Sequence, residues 1–130
     1  MNLFDYTPKT DDLVITLKVA DKELTNEDGT PMTITFYSPY SQEAKDIKHS
    51  MVDERIARAE AGGETKLNSA EVEKMNLVGL AKNIKEWNIT TDKVKPKLSE
   101  KAALEVLTKA FWIKPLYDEA IDKSMVFMKG

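Results

Sequence analysis

The side chains that could take part in catalysis are few, and they lie far apart in the sequence. His49 is the only histidine, and no serine and carboxylate stand near it in the order that a catalytic triad requires. Cysteine is absent, which excludes disulfides, thiolate nucleophiles and zinc–thiolate centres. We therefore interpret His49 as a solvated helix residue and expect no catalytic residues.

Carboxylates occur in two groups that could attract a cation. Asp11 and Asp12 are adjacent, while Asp118, Glu119 and Asp122 fall on one surface of a predicted helix. A magnesium or calcium site needs oxygen ligands that converge on one point, which neighbours in sequence do not provide by themselves. We interpret both groups as solvated acidic surface and predict no metal and no cofactor.

The amino-acid composition is typical of a folded globular protein. Its 130 residues, 42% hydrophobic and 32% charged, suit a single domain over residues 1–130. A net charge of -3 gives no basic surface for nucleic acid. No apolar run approaches the ~18 residues that cross a bilayer, and the first ten residues do not resemble a signal peptide. We expect neither nucleic acid nor membrane as a partner.

Alternating apolar and polar residues predict an antiparallel β-hairpin over residues 12–37. One strand carries Leu13, Ile15, Leu17 and Val19, and the second carries apolar residues from 32 to 36. The intervening Asp28-Gly29 pair favours the positive φ angles of a hairpin turn. Because an isolated ribbon is marginally stable, the hairpin must pack on helices or pair its edge with another chain.

Helical spacing and capping residues predict four helices after the hairpin, at residues 41–61, 69–87, 99–110 and 114–126. Ser41, Asn68 and Ser99 are the expected N-caps, and Pro115 suits a first helical turn. The first helix has a thin apolar stripe and many charges, so it should project. The second carries an apolar stripe that includes Leu80, Ile84 and Trp87, and close approach of another backbone could offset the cost of Gly79 within it. The chain is thus predicted to be α+β and mostly α.

The order of several short segments resembles one protein family over nearly the whole chain. A hairpin is followed by Phe36-Tyr37-Ser38-Pro39-Tyr40 and a long charged helix. Four later segments complete the pattern: Leu77-Val78-Gly79-Leu80-Ala81, Glu86-Trp87-Asn88-Ile89, Lys97-Leu98-Ser99 and Val106-Leu107-Thr108-Lys109-Ala110-Phe111-Trp112. Together they resemble the tail assembly chaperones of long-tailed bacteriophages.

The resemblance implies a non-enzymatic role in phage tail assembly. Its implied partners are the tape measure protein and the tail tube protein, which the chaperone would cover before the tube polymerises. It would act in the host cytoplasm, be absent from the mature virion, and self-associate as a homo-oligomer. Many copies of the chain, each binding weakly, could then hold an elongated client reversibly.

Apolar residues near predicted edges and on the charged helix are the expected partner contacts. They lie on the hairpin edge, at the following corner, along the first helix and near the C-terminus. The candidates are Met32, Ile34, Phe36, Tyr37, Tyr40, Ile47, Met51, Ile56, Met125, Phe127 and Met128.

Three other functions remain open at this stage. A stable connector or minor tail protein of the virion would share the same composition, and it would be retained in purified particles. A small hydrolase would have to use Asp118, Glu119 and His49, which lack a local catalytic pattern. A transcriptional regulator ranks lowest, because no basic recognition helix is present.

Overall fold

The computed structural model describes residues 6–7, 10–62, 68–124 and 128–129, and it confirms the α+β class with mostly helical content. An antiparallel sheet at the N-terminal end is followed by four helices. In chain order the elements are β1 (Tyr6–Thr7), β2 (Leu13–Thr16), β3 (Lys18–Val19), β4 (Lys22–Glu23), β5 (Thr33–Phe36), α1 (Gln42–Glu60), α2 (Ser69–Lys82), β6 (Ile84–Asn88), α3 (Glu100–Lys109), α4 (Ile113–Ser124) and β7 (Met128–Lys129).

The main sheet has three antiparallel strands in the order β2-β5-β6. The predicted hairpin supplies β2 and β5, which pair Leu13 with Phe36 and Ile15 with Ile34. On its other side β5 pairs Ile34 with Trp87, and a bulge shifts the register before Phe36 meets Ile84. Because β5 is the middle strand, its backbone hydrogen-bonding groups serve both neighbours.

The second helix is shorter than predicted, and the assignment of residues 83–87 to it was wrong. It ends at Lys82, where the Asn83 side-chain amide donates to the Gly79 carbonyl oxygen at 2.7 Å. Ile84–Asn88 then forms β6 against β5. The three-residue spacing of Ile84 and Trp87 favours a helix over a regular strand. The chain forms a strand there because residues 84–88 pair with the edge of β5, and the bulge between Thr35 and Phe36 shifts the register between Ile84 and Trp87.

The predicted first strand is also divided. Leu17 is buried, but Val19 is exposed and belongs to a separate two-stranded ribbon, β3-β4. Ala20 and Asp21 turn this ribbon with φ angles of 52° and 64°. The predicted turn at Gly29 is confirmed by its φ of 85°, which a residue with a side chain rarely adopts.

A buried amide connects the hairpin loop to the end of β6. Asn26 is only 3% exposed, and its amide group donates to the carbonyl oxygens of Thr30 at 3.2 Å and Asn88 at 3.3 Å. The Thr90 hydroxyl donates to the Asn26 side-chain oxygen at 2.6 Å. These contacts satisfy a polar group that would be costly to bury without partners.

The hydrophobic core lies between the main sheet, the end of α2, and the helices α3 and α4. Phe36 is fully buried, and its ring centroid lies 4.7 Å from that of Tyr117 on α4. Trp87 and Trp112 are partly buried against this core, and the Trp87 indole donates to the Pro96 carbonyl oxygen at 2.9 Å. The buried residues are Ile15, Leu17, Ile34, Phe36, Leu80, Ala81, Ile84, Ile89, Ala103, Leu107 and Ile113.

Candidate docking surface on the first two helices

Helix α1 begins at a predicted and confirmed N-cap. The Ser41 hydroxyl accepts a hydrogen bond from the Ala44 amide at 3.2 Å and donates to the Ser38 carbonyl oxygen at 2.6 Å. Ser38 and Ser41 are both buried, so the start of α1 is held against the corner that follows β5. The direction of the helix is therefore fixed at its first turn.

Beyond that turn, α1 is almost entirely open to solvent. None of its 19 residues is buried. Only Ala44, Ile47 and Met51 are half-buried, and they follow the three- and four-residue spacing of one helical face. The prediction of a long helix with a thin apolar stripe agrees with this exposure.

A cleft between α1 and α2 has a volume of about 410 Å³ and combines an apolar floor with charged walls. Met51 lies on the α1 side, while Met75 and Val78 lie on the α2 side. A neighbouring cavity of about 530 Å³ shares Met51, Arg55 and Met75 and continues to Pro39 and Gly79. Unbranched methionine side chains can adapt their shape to different partners, so this floor suits reversible contacts.

The charged residues around the cleft carry both signs. Arg55, Arg58 and Lys74 line it together with Glu54 and Glu71. At one end, Lys82 of α2 and Glu100 of α3 form an ion pair of 3.3 Å. Exposed ion pairs of this kind contribute little stability. The mixed charge can instead orient a polar partner whose charges are complementary.

Gly79 faces α1, but not as the sequence suggested. A Cβ at this position would meet the sulfur and terminal carbon of Met51 at 3.6 and 3.7 Å, which are ordinary contact distances. The expected close approach of another backbone was wrong. A flexible side chain occupies the space beside Gly79, so the packing of α1 on α2 does not demand glycine there.

The predicted contact residues of the hairpin lie inside the fold. Ile34 and Phe36 are 0% exposed, and Met32 packs against the same core while partly buried. The sequence predicts partner contacts on the hairpin edge, but β2 and β6 occupy the two sides of β5. Ile34 and Phe36 are therefore unavailable for partner contact in this fold, and that expectation is corrected.

The two tyrosines of the corner are half-buried between the sheet and α1. The Tyr37 amide donates to the Asn83 carbonyl oxygen at 2.9 Å, and the Lys85 ammonium lies 6.0 Å from the centre of its ring. The Tyr40 amide donates to the Ser38 hydroxyl at 3.2 Å. These contacts place Tyr37 and Tyr40 in the structural corner that orients α1.

The structure places the remaining candidates differently. Ile47 and Met51 face α2, whereas Ile56 is 51% exposed on another side of α1. Met125 and Phe127 lie outside the described residues. Met128 lies in β7, which pairs with β1, and its side chain is not among those described. Of the predicted partner contacts, Ile47 and Met51 are the two that the structure places together beside α2.

Other exposed apolar residues were missed or misplaced by sequence reasoning. Phe111 follows the C-cap Ala110 of α3 and is 77% exposed. Val94 is exposed in the connection between β6 and α3, and Val14 is exposed on β2. Because α3 ends at Lys109, Phe111 lies beyond the last helical turn and no longer follows the apolar stripe of that helix.

The residues considered for catalysis do not converge. His49 is exposed on α1. Asp118 pairs with Lys114 at 3.0 Å and Glu119 with Lys123 at 3.1 Å, which are contacts between successive turns of α4. Within the described ranges, no three histidine or acidic side chains are grouped as metal ligands.

Shifted pKa values occur around the sheet. Hydrogen bonds from the Thr30 hydroxyl and amide, supported by Lys95, lower the pKa of Asp28 to about 2. The Asp12 carboxylate, 2.7 Å from the Lys85 ammonium, raises the pKa of Lys85. Partial burial raises the pKa of the Tyr117 hydroxyl. The causes of these three pKa shifts are local: hydrogen bonds, an ion pair and partial burial.

No protein family, curated protein or solved structure matches the chain. Among the described residues, no helix has the length and apolar character to cross a membrane. The most distinctive feature of the residues that the structure describes is the exposed helix α1, which forms a cleft with α2.

Proposed function

We propose that this chain is a tail assembly chaperone of a long-tailed bacteriophage. It would bind the tape measure protein and the tail tube protein in the host cytoplasm and leave before the virion is complete. The resemblance of the segments from Phe36 to Trp112 supplies the family and its clients. The single structural observation that supports the proposal is a 19-residue helix with no buried residue, lying beside a methionine-floored cleft.

A helix that buries none of its residues adds little to the stability of its own fold. Folding is driven mainly by apolar burial, and α1 contributes only the half-buried Ala44, Ile47 and Met51. Its remaining surface is available to another protein. A helical client such as the tape measure protein could lie along the cleft and cover Met51, Met75 and Val78.

The mixed polarity of the cleft suits a temporary complex. Stable subunit interfaces have larger and more apolar contacts, whereas this floor offers two methionines and a valine between charged side chains. Release during tail assembly then requires the loss of only a small contact at each copy. Several copies along one client would supply the overall affinity.

A binding assay tests the proposal directly. Purified chain is mixed with the tape measure protein and, separately, with the tube protein, and binding is measured by calorimetry or copurification. We expect binding to at least one client. Met51→Glu together with Met75→Glu should weaken it by about tenfold or more, since both changes place charge on the apolar floor.

Val14→Glu together with Val94→Glu is the matched control, because it introduces the same two charges at exposed valines on β2 and in the connection before α3. It should bind the client as the unchanged chain does. Equal loss in both variants would contradict the assignment of the cleft, and binding of neither client by the unchanged chain would contradict the function.

Two phage experiments separate chaperone from structural protein. Deletion of the gene should give tailless heads in electron micrographs of lysates, and mass spectrometry of purified virions should not find the chain. Normal tails from the deletion phage would contradict a role in assembly. Stoichiometric retention in virions would instead favour a connector or minor tail protein.

A further inference from the structure

Helix α1 carries a second surface, on a different side from the cleft. Lys45, His49, Val52, Ile56 and Ala59 follow alternating steps of four and three residues, and we call them the outer stripe. At 100° per residue the outer stripe lies roughly 120° around the helix from the half-buried face that contacts α2. All five residues are exposed.

The apolar part of the outer stripe lies towards the C-terminal half of α1. Val52 and Ile56 are 49% and 51% exposed, one helical turn apart, and Ala59 follows at the next step. These two β-branched side chains form a small exposed apolar patch on α1.

Charged rows flank the outer stripe and differ in sign. Asp46, Asp53 and Glu60 repeat every seven residues along one side, and we call them the acidic row. Lys48 and Arg55 repeat every seven residues along the other side and form the basic row. In heptad terms the outer stripe occupies positions a and d, the acidic row position e and the basic row position g.

The flanking rows favour a second copy of α1 in the parallel direction, and this register also places Lys45 beside Lys45 at an exposed d position near the start of the helix. In a parallel pair of helices, a residue at g contacts the residue at e five positions later on the other helix. For two copies of α1 these contacts join Lys48 to Asp53 and Arg55 to Glu60, with opposite charges in each pair. In an antiparallel pair, acidic rows would face each other and basic rows would do the same.

We propose that the outer stripe is a self-association surface, through which two copies of this chain pair their α1 helices parallel and in register. Val52 and Ile56 of one copy pack on the same residues of the other, and twofold symmetry repeats each g-to-e contact. Since the helix provides fewer than three heptads, the dimer is weak and depends on protein concentration.

The outer stripe faces away from the cleft floor at Met51, while Arg55 of the basic row lines both cavities and Val52 and Lys48 line the neighbouring one. The dimer contact involves residues of α1 alone. The inference therefore does not rest on the proposed clients. It can be tested with the purified chain alone, and its failure would leave client binding through the cleft unaffected.

Disulfide trapping tests the direction of pairing, because the natural chain has no cysteine. In the parallel register Ala59 faces Ala59, so Ala59→Cys should crosslink rapidly on oxidation. In the antiparallel alternative, where Val52 faces Ile56, the two Ala59 positions would be roughly 15 Å apart along the axis. Ser50→Cys, exposed on the opposite side of α1, is the matched control.

Charge exchange tests the partner, with association measured by analytical ultracentrifugation over a roughly thousandfold concentration range. Asp53→Lys should weaken dimerisation about tenfold, since it sets like charges together at two symmetric contacts. Adding Lys48→Asp exchanges the signs and should restore affinity to within a few-fold. These residues are exposed, so circular dichroism should show unchanged folding.

The proposal is supported if Ala59→Cys crosslinks faster than Ser50→Cys and if the double exchange restores the dimer. It is overturned if the unchanged chain stays monomeric at every concentration, or if the two cysteine variants crosslink equally. A monomer that binds a client helix through Val52 and Ile56 would also overturn it, because the occupant would then be the client.

Discussion

The sheet with α3 and α4 differs from α1 in how its apolar residues are used. Ile34 and Phe36 in the middle strand are fully buried, whereas the apolar residues of α1 are half-buried or exposed. Both regions are regular secondary structure with good caps and pairing. The comparison shows that the capped first turn holds α1 in place, while α1 buries too little apolar surface to add much to the stability of the fold. Most of its surface is therefore available to other chains.

The largest expected effect comes from the same substitution in each region. Ile34→Ala should destabilise the fold by about 2–5 kcal/mol, because it removes a fully buried side chain and leaves a cavity. Ile56→Ala should change stability by less than about 0.5 kcal/mol, since that side chain is half exposed. Urea denaturation at low protein concentration measures both free energies of unfolding. Equal losses would remove the distinction between the regions.

A smaller effect is expected at the link between the hairpin loop and β6. Asn26→Ala should cost about 1–3 kcal/mol, because it removes the side-chain hydrogen bonds to the Asn88 carbonyl oxygen and from the Thr90 hydroxyl, while the Thr30 carbonyl oxygen keeps the backbone amide of residue 26 as a donor. The same urea measurement applies, with exposed Asn76→Ala on α2 as the control. A loss at Asn26 no greater than that at Asn76 would contradict the structural role of the buried amide.

The contact between α1 and α2 should tolerate an added methyl group. Gly79→Ala is expected to stabilise the chain by up to about 1 kcal/mol, since alanine favours helix and its Cβ meets only the Met51 side chain at 3.6 Å. The shift in thermal midpoint measures this gain. Destabilisation would show that the two helices pack more tightly than the structure indicates.

The smallest effect is a pH dependence at the hairpin loop. Because the folded state lowers the pKa of Asp28 from 3.8 to about 2, its contribution is fully present above pH 3.8 and is lost as the pH falls towards 2. Asp28→Asn should therefore flatten the pH dependence of the urea midpoint between these values. An unchanged profile would contradict the hydrogen bonds from Thr30.

The sequence predicted most of these elements for identifiable physical reasons. Ser41, Asn68 and Ser99 each accept an amide hydrogen bond at a helix start, as local capping chemistry predicts. Residues 84–88 could not be assigned locally, because a strand partner more than forty positions earlier decides their conformation. The same long-range pairing made β5 a central strand and buried the predicted contacts Ile34 and Phe36.

The candidate site was predictable in part. The thin stripe of Ala44, Ile47 and Met51 indicated a helix with little packing, and the structure confirms its exposure. The cleft itself requires Met75 and Val78 to lie opposite Met51, and no local pattern specifies how two helices are placed relative to one another.

Hydrogen–deuterium exchange of the chain, free and mixed with the tape measure protein, tests the central claim most directly. We predict slower exchange in the complex within residues 42–60 and 69–82, with little change in the sheet. A stable complex whose protection falls on the sheet or on α4, with α1 and α2 unchanged, would contradict the assignment of the docking surface.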